Sequence, residues 1–416
     1  MAEEKKIKIP IDRLRIGMYI DLELSWTKHP FLFSKFKLSN QKDLGIIKSL
    51  GLTEITVIPK LSDQAALTAP PEPAAVVEPS ALEEELRKDK QAHVDKAKEY
   101  RDRRKQAANK YREQAEQVRK ISKDLKTQPA NAIHNADEVV EGLAAEFETT
   151  GEMLTNLVNL GSGEHSFYNH NVNVTVLSLM LGSSAGIKGE ALRQLAMGAL
   201  LHDVGKIELP AQVTNKLGKL TPSEATLLRH HPSLGRKLTG RIRNLPSMAQ
   251  AIIEFHHEML DGSGYPHGIG GDRIPKQVRI VSIANIYDNL CNAQDPKASI
   301  TPKVALAIMY KKYKDKLDGP LVEQFIRTMG VYPPGTVVQL NDDSIGLVVA
   351  GDSGAMLRPE LLLYNPDIPK KDALIINLTE HPDLDITGVL KPGDYPSRIY
   401  EYLGIEERLG YFVEKR

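Results

Sequence analysis

The chain has a single cysteine, Cys291, among its 416 residues. No disulfide can close within it, and such cysteine usage suits a reducing compartment. A run of about 18 apolar residues is also missing, so no transmembrane helix is expected. No apolar segment follows the charged start Met1-Ala2-Glu3-Glu4-Lys5-Lys6, and a signal peptide is not expected either. Net charge is absent as well. Lysine plus arginine number 54, as do aspartate plus glutamate, so no global field draws in a nucleic-acid polymer or a membrane surface. The expectation is a soluble, cytoplasmic protein. Glycine and proline are missing from Leu82 to Leu125, which leaves that charged stretch free to run as one long helix.

What remains is ample for folding. Hydrophobic residues make up 41% of a chain long enough for two or three domains. Residues 1–60 read as a small α/β unit. Ile7–Pro10, Met18–Leu22 and Ile55–Ile58 suit short strands, and Leu44–Leu50 suits a helix that Gly51 ends. The aromatic phrase Trp26-Thr27-Lys28-His29-Pro30-Phe31 fits local core better than a ligand surface. Residues 61–134 combine an Ala/Pro-rich linker with the charged helix. Ala108, Tyr111, Ala115, Val118 and Leu125 form a thin seam on that helix near heptad spacing. The seam suits antiparallel packing or a dimer coiled coil, and a solvated single helix fits equally well. It is the candidate surface for a homodimer or a signalling-protein partner, through residues 82–125. Residues 135–330 are helical by periodicity. Residues 331–416 form a β-rich appendage, with strands expected at Gly335–Leu340, Ile345–Val349 and Leu374–Leu378.

The chemistry gathers between residues 165 and 267, where eight of the twelve histidines lie. At the end of the apolar stretch Leu192–Leu201 stands His202-Asp203-Val204-Gly205-Lys206, with Gly205 placed to stop the helix. A lone His-Asp pair is commonly a hydrogen-bonded structural pair. Here it has company: His170, His230-His231-Pro232, and His256-His257-Glu258 followed by Asp261-Gly262-Ser263-Gly264-Tyr265-Pro266. Several histidines ending separate apolar helices are costly to bury for packing alone, and imidazole with carboxylate is a donor set for transition metals. From Leu201 to Arg243 eight lysines or arginines face three acids, an excess that suits either a solvated face or the steering of a dianion.

These residues, in this order and spacing, resemble an HD-GYP domain, the branch of the HD phosphohydrolase superfamily associated with hydrolysis of cyclic di-GMP. The resemblance spans roughly residues 140–335. The stretch Asp12–Tyr19 resembles the small domain of unknown function that often precedes it. The implied fold is mainly α: an HD-type all-helical bundle with a small N-terminal α/β unit, a charged helical connector and a short C-terminal β appendage. The resemblance implies two divalent transition metals, iron or manganese before zinc or nickel. Asp203 would bridge them. His170 and His202 would serve one ion, and His231, His256 and His257 the other. Lys206 would contact a phosphate oxygen, Tyr265 in the Gly264-Tyr265-Pro266 loop would be a phosphate or lid contact, and Lys297 would be a further phosphate ligand.

Two positions depart from the pattern. Asn285 stands where the family has an aspartate ligand, which exchanges a carboxylate for a neutral amide. Asp288, at i+3 and on roughly the same helical face, is a candidate to substitute, although the family usually has an aspartate at that position as well. Gln294 stands where a phosphate-binding arginine is usual. Ser166 replaces the glutamate that binds a third metal in some members, so two ions at most are expected. The expected activity is phosphodiesterase hydrolysis of cyclic di-GMP to pGpG, GMP or both, in bacterial second-messenger signalling. The alternatives are a degenerate domain that binds a nucleotide or protein without turnover, and a phosphodiesterase for another cyclic dinucleotide.

Overall fold

The computed structural model describes residues 6–68, 79–160, 167–295, 298–351, 355, 357–391 and 394–405. The chain divides into two compact units, residues 1–99 with 365–375, and residues 100–364 with 376–416. This division differs from the one composition suggests. It cuts the long charged helix, and it assigns a short piece of the β-rich appendage to the N-terminal unit.

The first unit is built on a four-stranded antiparallel sheet in the order β1 (Ile7–Pro10), β4 (Glu54–Val57), β2 (Tyr19–Asp21), β3 (Lys35–Lys37). Helix α1 (Gln41–Ser49) starts at Asn40, whose side chain accepts from the Asp43 amide, and it buries Leu44, Ile46 and Ile47. These pack with Leu14, Ile20, Phe31, Leu38 and Val57. Strand β3 was not expected, because three residues reading Lys-Phe-Lys give too short an alternation to stand out. Trp26 and Phe31 are buried. The Trp26 indole N–H donates to the Leu32 carbonyl at 2.9 Å, and the Lys90 ammonium sits 3.7 Å from the ring centroid. The aromatic phrase is therefore local core. Of the Ala/Pro-rich linker, residues 64–68 form a short helix, α2 (Gln64–Thr68), and residues 69–78 lie outside the described residues.

The Gly-free stretch is one helix, α3 (Pro79–Asp124). In the second unit its seam is not left for a partner. Tyr111, Ala115, Val118, Ile121 and Leu125 are buried in the main core with residues of α4 (Pro129–Leu160) and α5 (Phe167–Ser184). The seam from Tyr111 to Leu125 thus packs within its own chain, which is the antiparallel packing that its spacing allows. Helix α4 contributes Val139, Val140 and Leu143 to this core, while the side chains of Met153, Leu154, Leu157 and Val158 lie outside the described residues.

Around α5 and α6 (Gly189–Leu201) the remaining helices close the bundle: α7 (Ala211–Thr214), α8 (Pro222–Leu228), α9 (His231–Thr239), α10 (Ser247–Phe255), α11 (Lys276–Cys291), α12 (Pro302–Lys312) and α13 (Gly319–Met329). Helix α6 is buried without interruption from Leu195 to Leu201, as its apolar sequence requires. A five-stranded sheet follows, in the order β8 (Ile375–Asn377), β7 (Glu360–Tyr364), β6 (Ile345–Ala350), β5 (Val337–Leu340), β9 (Ile386–Leu390), and then α14 (Ser397–Leu403). Strands β7 and β9 are additions to the three expected. Gly388 inside β9 weakens its sequence signal. No described helix is long and apolar enough to cross a membrane.

Candidate metal centre

The site is assembled where helices end. Helix α6 stops at Leu201, His202 caps it in helical conformation, and Asp203 turns the chain into a tight 3₁₀ stretch that carries Lys206. Gly205 does not act as a helix stop. Its Cβ would lie 1.9 Å from the His231 carbonyl oxygen and 2.5 Å from the Gly235 amide nitrogen, so glycine is what lets this turn lie directly against α9. That contact sets His231, the first residue of α9, opposite Asp203. His256 caps the C-terminal end of α10.

Helix ends also orient the rings. The last carbonyls of a helix lack intrahelical partners, and here imidazoles use them. The Nδ1–H of His202 donates to Ala199 O at 2.7 Å, that of His231 to Leu228 O at 2.7 Å, and that of His256 to Ile253 O at 3.1 Å. A carbonyl can only accept, so the proton sits on Nδ1 and each Nε2 presents a lone pair. His170 reaches the same state by another route, with its Nδ1 2.6 Å from Asp288 Oδ2.

Those Nε2 atoms converge on Asp203. Oδ2 lies 3.6 Å from His170 Nε2 and 3.4 Å from His202 Nε2, and Oδ1 lies 3.0 Å from His231 Nε2 and 3.8 Å from His256 Nε2. The nitrogens also face one another, 3.3 Å apart for His170 and His202 and 3.2 Å for His231 and His256. Candidate ligand atoms form two groups, His170–His202–Asp203 and Asp203–His231–His256–His257, each within 4.8 Å, and Asp203 belongs to both. Burial pushes the His202 imidazole down to about 4 and those of His256 and His257 well below their ordinary range. Burial alone would also suppress the charge of Asp203, but Lys206, with its ammonium 2.5 Å from Oδ2, and His202 outweigh it and hold the carboxyl well below its usual range. The result is an ionised carboxylate, 1% exposed, faced by the Nε2 atoms of four histidines. Lone pairs opposed at this distance repel unless a cation lies between them. The donor set therefore fits two divalent transition ions sharing Asp203.

The surroundings fix these groups. Asp288 spends both oxygens on orientation, Oδ2 on His170 and Oδ1 on the side-chain amides of Asn173 (2.8 Å) and Asn292 (2.6 Å). It therefore aims a histidine and does not take the place of the missing carboxylate. Asn285 is buried, and its Oδ1 accepts from Asn289 Nδ2 at 2.6 Å, so the amide oxygen is engaged within α11. The Gln294 amide donates to Thr214 O at 2.9 Å. Lys297 and Ser166 lie outside the described residues.

The loop after α10 folds back on the cluster. The Tyr265 ring stacks on His257 at 4.5 Å and 17°. Burial and the Asp203 charge push the Tyr265 phenol up. Gly262 adopts φ +75°, and a Cβ on Gly264 would lie 2.5 Å from Glu258 Cα and His257 O, so the return is possible only at glycine. Pro266 follows a cis peptide bond. Glu258 is buried and accepts from the backbone amides of His267 (2.7 Å) and Gly268 (3.2 Å), which pins the far side of the loop. Arg229, unmarked in the sequence, stands with its guanidinium 4.6 Å from the Tyr265 centroid.

A helical bundle with a His-Asp pair at its centre and histidines closing in from neighbouring helix ends is an arrangement able to hold metal ions for hydrolytic chemistry. Comparison with known families gives two matches: residues 152–321 match the HD domain, and residues 6–136 match the domain of unknown function DUF3391. It is 27% identical over 373 residues to cyclic di-GMP phosphodiesterase PA4108 of Pseudomonas aeruginosa, covering 86% of this chain and 84% of that protein. It is 31% identical over 217 residues to the cyclic di-GMP phosphodiesterase response regulator RpfG of Xanthomonas campestris, covering 52% of this chain and 55% of that protein. It is 28% identical over 164 residues to 3'3'-cGAMP-specific phosphodiesterase 3 of Vibrio cholerae, covering 39% and 35%.

Proposed function

We propose that this protein is a metal-dependent phosphodiesterase that hydrolyses cyclic di-GMP to pGpG, GMP or both, as a cytoplasmic enzyme of bacterial signalling. The observation that carries the reading is the double-faced Asp203, with one imidazole pair on each carboxylate oxygen. His170 and His202 would hold one ion, with Asn285 as a weak further ligand, and His231, His256 and His257 would hold the other. The mixed nitrogen and oxygen donors suit iron or manganese. Bound there, two such ions supply Lewis acidity toward a phosphate and lower the pKa of water. The chain supplies the rest. Carbonyls and Asp288 fix the tautomers of His170, His202, His231 and His256 before substrate arrives, which limits reorganisation in the reaction. Lys206, one quarter exposed, brings a positive charge to the rim for a phosphate oxygen. Tyr265, with Gly264 and Pro266, closes the side of the cluster at His257 and limits water there.

The test is metal analysis of anaerobically purified protein, followed by product analysis with cyclic di-GMP. Asp203→Ala should lose both ions together; full metal retention in that variant would sink the bridging role. A second reading, a receptor that binds without turnover, is favoured by Asn285, whose oxygen is already taken by Asn289. Protein that is metal-loaded and binds the nucleotide without cleaving it decides for that reading. Parallel assays with the mixed GMP-AMP cyclic dinucleotide address the third.

A further inference from the structure

Arg229 is exposed at the C-terminal end of α8, two residues before the metal-facing His231. Its guanidinium lies over the Tyr265 ring, and that ring also meets His257, stacked at 4.5 Å, and His231, edge-on at 6.4 Å. Tyr265 thus links the exposed Arg229 to the cluster. Three cations of the same segment are paired with carboxylates: Lys216 with Glu224 at 2.6 Å, Arg236 with Glu254 at 3.3 Å and Lys206 with Asp203. Arg229 pairs with no carboxylate among the described residues. The contact with Tyr265 restrains a guanidinium that is otherwise exposed, and a guanidinium can capture a phosphate bidentately.

We infer that Arg229 binds the phosphate that is not being cleaved. The inference rests on the cyclic dinucleotide reading. Such a substrate carries two phosphodiesters on one ring. Only one can sit on the metal cluster at a time, and the other needs its own cation a short distance away. Arg229 is a cation in contact with the tyrosine of the loop that closes the cluster, and among the described residues it has no carboxylate partner. It would thus select dianionic cyclic dinucleotides over simple phosphodiesters.

The experiment uses the full, metal-loaded chain as wild type, Arg229→Ala and Arg229→Lys. Two substrates are compared, cyclic di-GMP with two phosphates and bis(p-nitrophenyl) phosphate with one. Arg229→Ala should raise KM for cyclic di-GMP by about ten- to a hundredfold, with kcat moving less than about threefold. Arg229→Lys should fall between, because charge is kept and the fork is lost. The loss in kcat/KM for cyclic di-GMP should exceed that for the single phosphodiester by at least about tenfold. Equal losses for both substrates would show that Arg229 merely buttresses Tyr265, and no change would show a solvated arginine; either overturns the inference. If wild type cleaves the simple diester but not cyclic di-GMP, the proposed activity is wrong, and calorimetric binding of cyclic di-GMP then decides for Arg229. About tenfold weaker binding in Arg229→Ala supports its role, and equal or absent binding in both proteins overturns it.

Discussion

At the scale of single residues, Asn285 and Asp288 lie three apart on one helix and do different work. Asp288 aims His170, and Asn285 offers an amide oxygen that Asn289 already holds. The ion on the His170 side should therefore be the weaker of the two. Asn285→Asp should slow its loss to a chelator by roughly tenfold, the lower end of what changes around a metal ligand achieve, and should raise turnover of cyclic di-GMP. Acid and amide are nearly the same size, so packing stays constant and metal retention during dialysis reports charge. Unchanged retention and rate would remove Asn285 from the ligand set. The histidines and Asp203 were legible in the sequence because polar residues ending apolar helices are conspicuous. Arg229 was not legible, because an exposed arginine in a basic stretch looks like any solvated one. What distinguishes it is a ring that arrives from residue 265. Asp288 was legible as an acid on the right helical face but not in its role, because only folding brings His170 and Asn173 to its two oxygens.

At the scale of elements, the site depends on how closely helix ends can approach. The turn after Asp203 touches α9 backbone to backbone at Gly205, with no room for a methyl group. Gly205→Ala should force that contact apart, costing at least about 3 kcal/mol in denaturant unfolding, and should weaken metal retention because His231 moves away from Asp203. Normal stability and metal content in this variant would contradict the contact. The sequence offered Gly205 only as a helix terminator, since pattern reading sees neighbours along the chain and not across it. The same limit applies to α3. Its seam residues were visible, but what covers them was not: Tyr111 donates to Asn173 Oδ1 at 2.6 Å across to α5, a pairing no heptad reveals. Short strands such as β3 escaped because three residues carry almost no periodicity.

At the scale of the whole molecule, each unit has its own core and its own reporters. Trp26, the sole tryptophan, lies in the first unit and is buried with Val94, Ile368 and Leu374. Replacing both Ile368 and Leu374 with alanine should lower the midpoint of the Trp26 fluorescence transition, by the equivalent of roughly 4 kcal/mol or more. An unshifted midpoint would mean that segment 365–375 adds nothing to that unit. Acid should act there too. Burial, with help from Lys90 and Arg87, pushes His29 from 6.5 down to about 4, and its ring nitrogen Nε2 lies 3.0 Å from Ser34 Oγ. Between these two values the unfolded chain takes up a proton that the folded one refuses. Stability of this unit should therefore be complete above about pH 6.5 and fall as pH drops toward 4, by at most about 3 kcal/mol. The His29→Gln variant should show a flatter fall over that window in the same fluorescence assay, and an identical slope would exclude His29 as its source.

The return of residues 365–375 to the first unit also has a meaning during biosynthesis. A ribosome that has released the first hundred residues must still make roughly 270 more before the pieces covering Trp26 exist. At about 5–20 residues per second that is on the order of 15–55 s. Through that interval Trp26 and Val94 lack the cover of Ile368 and Leu374, while the main core of the first unit, which takes no residue from 365–375, is already available to fold.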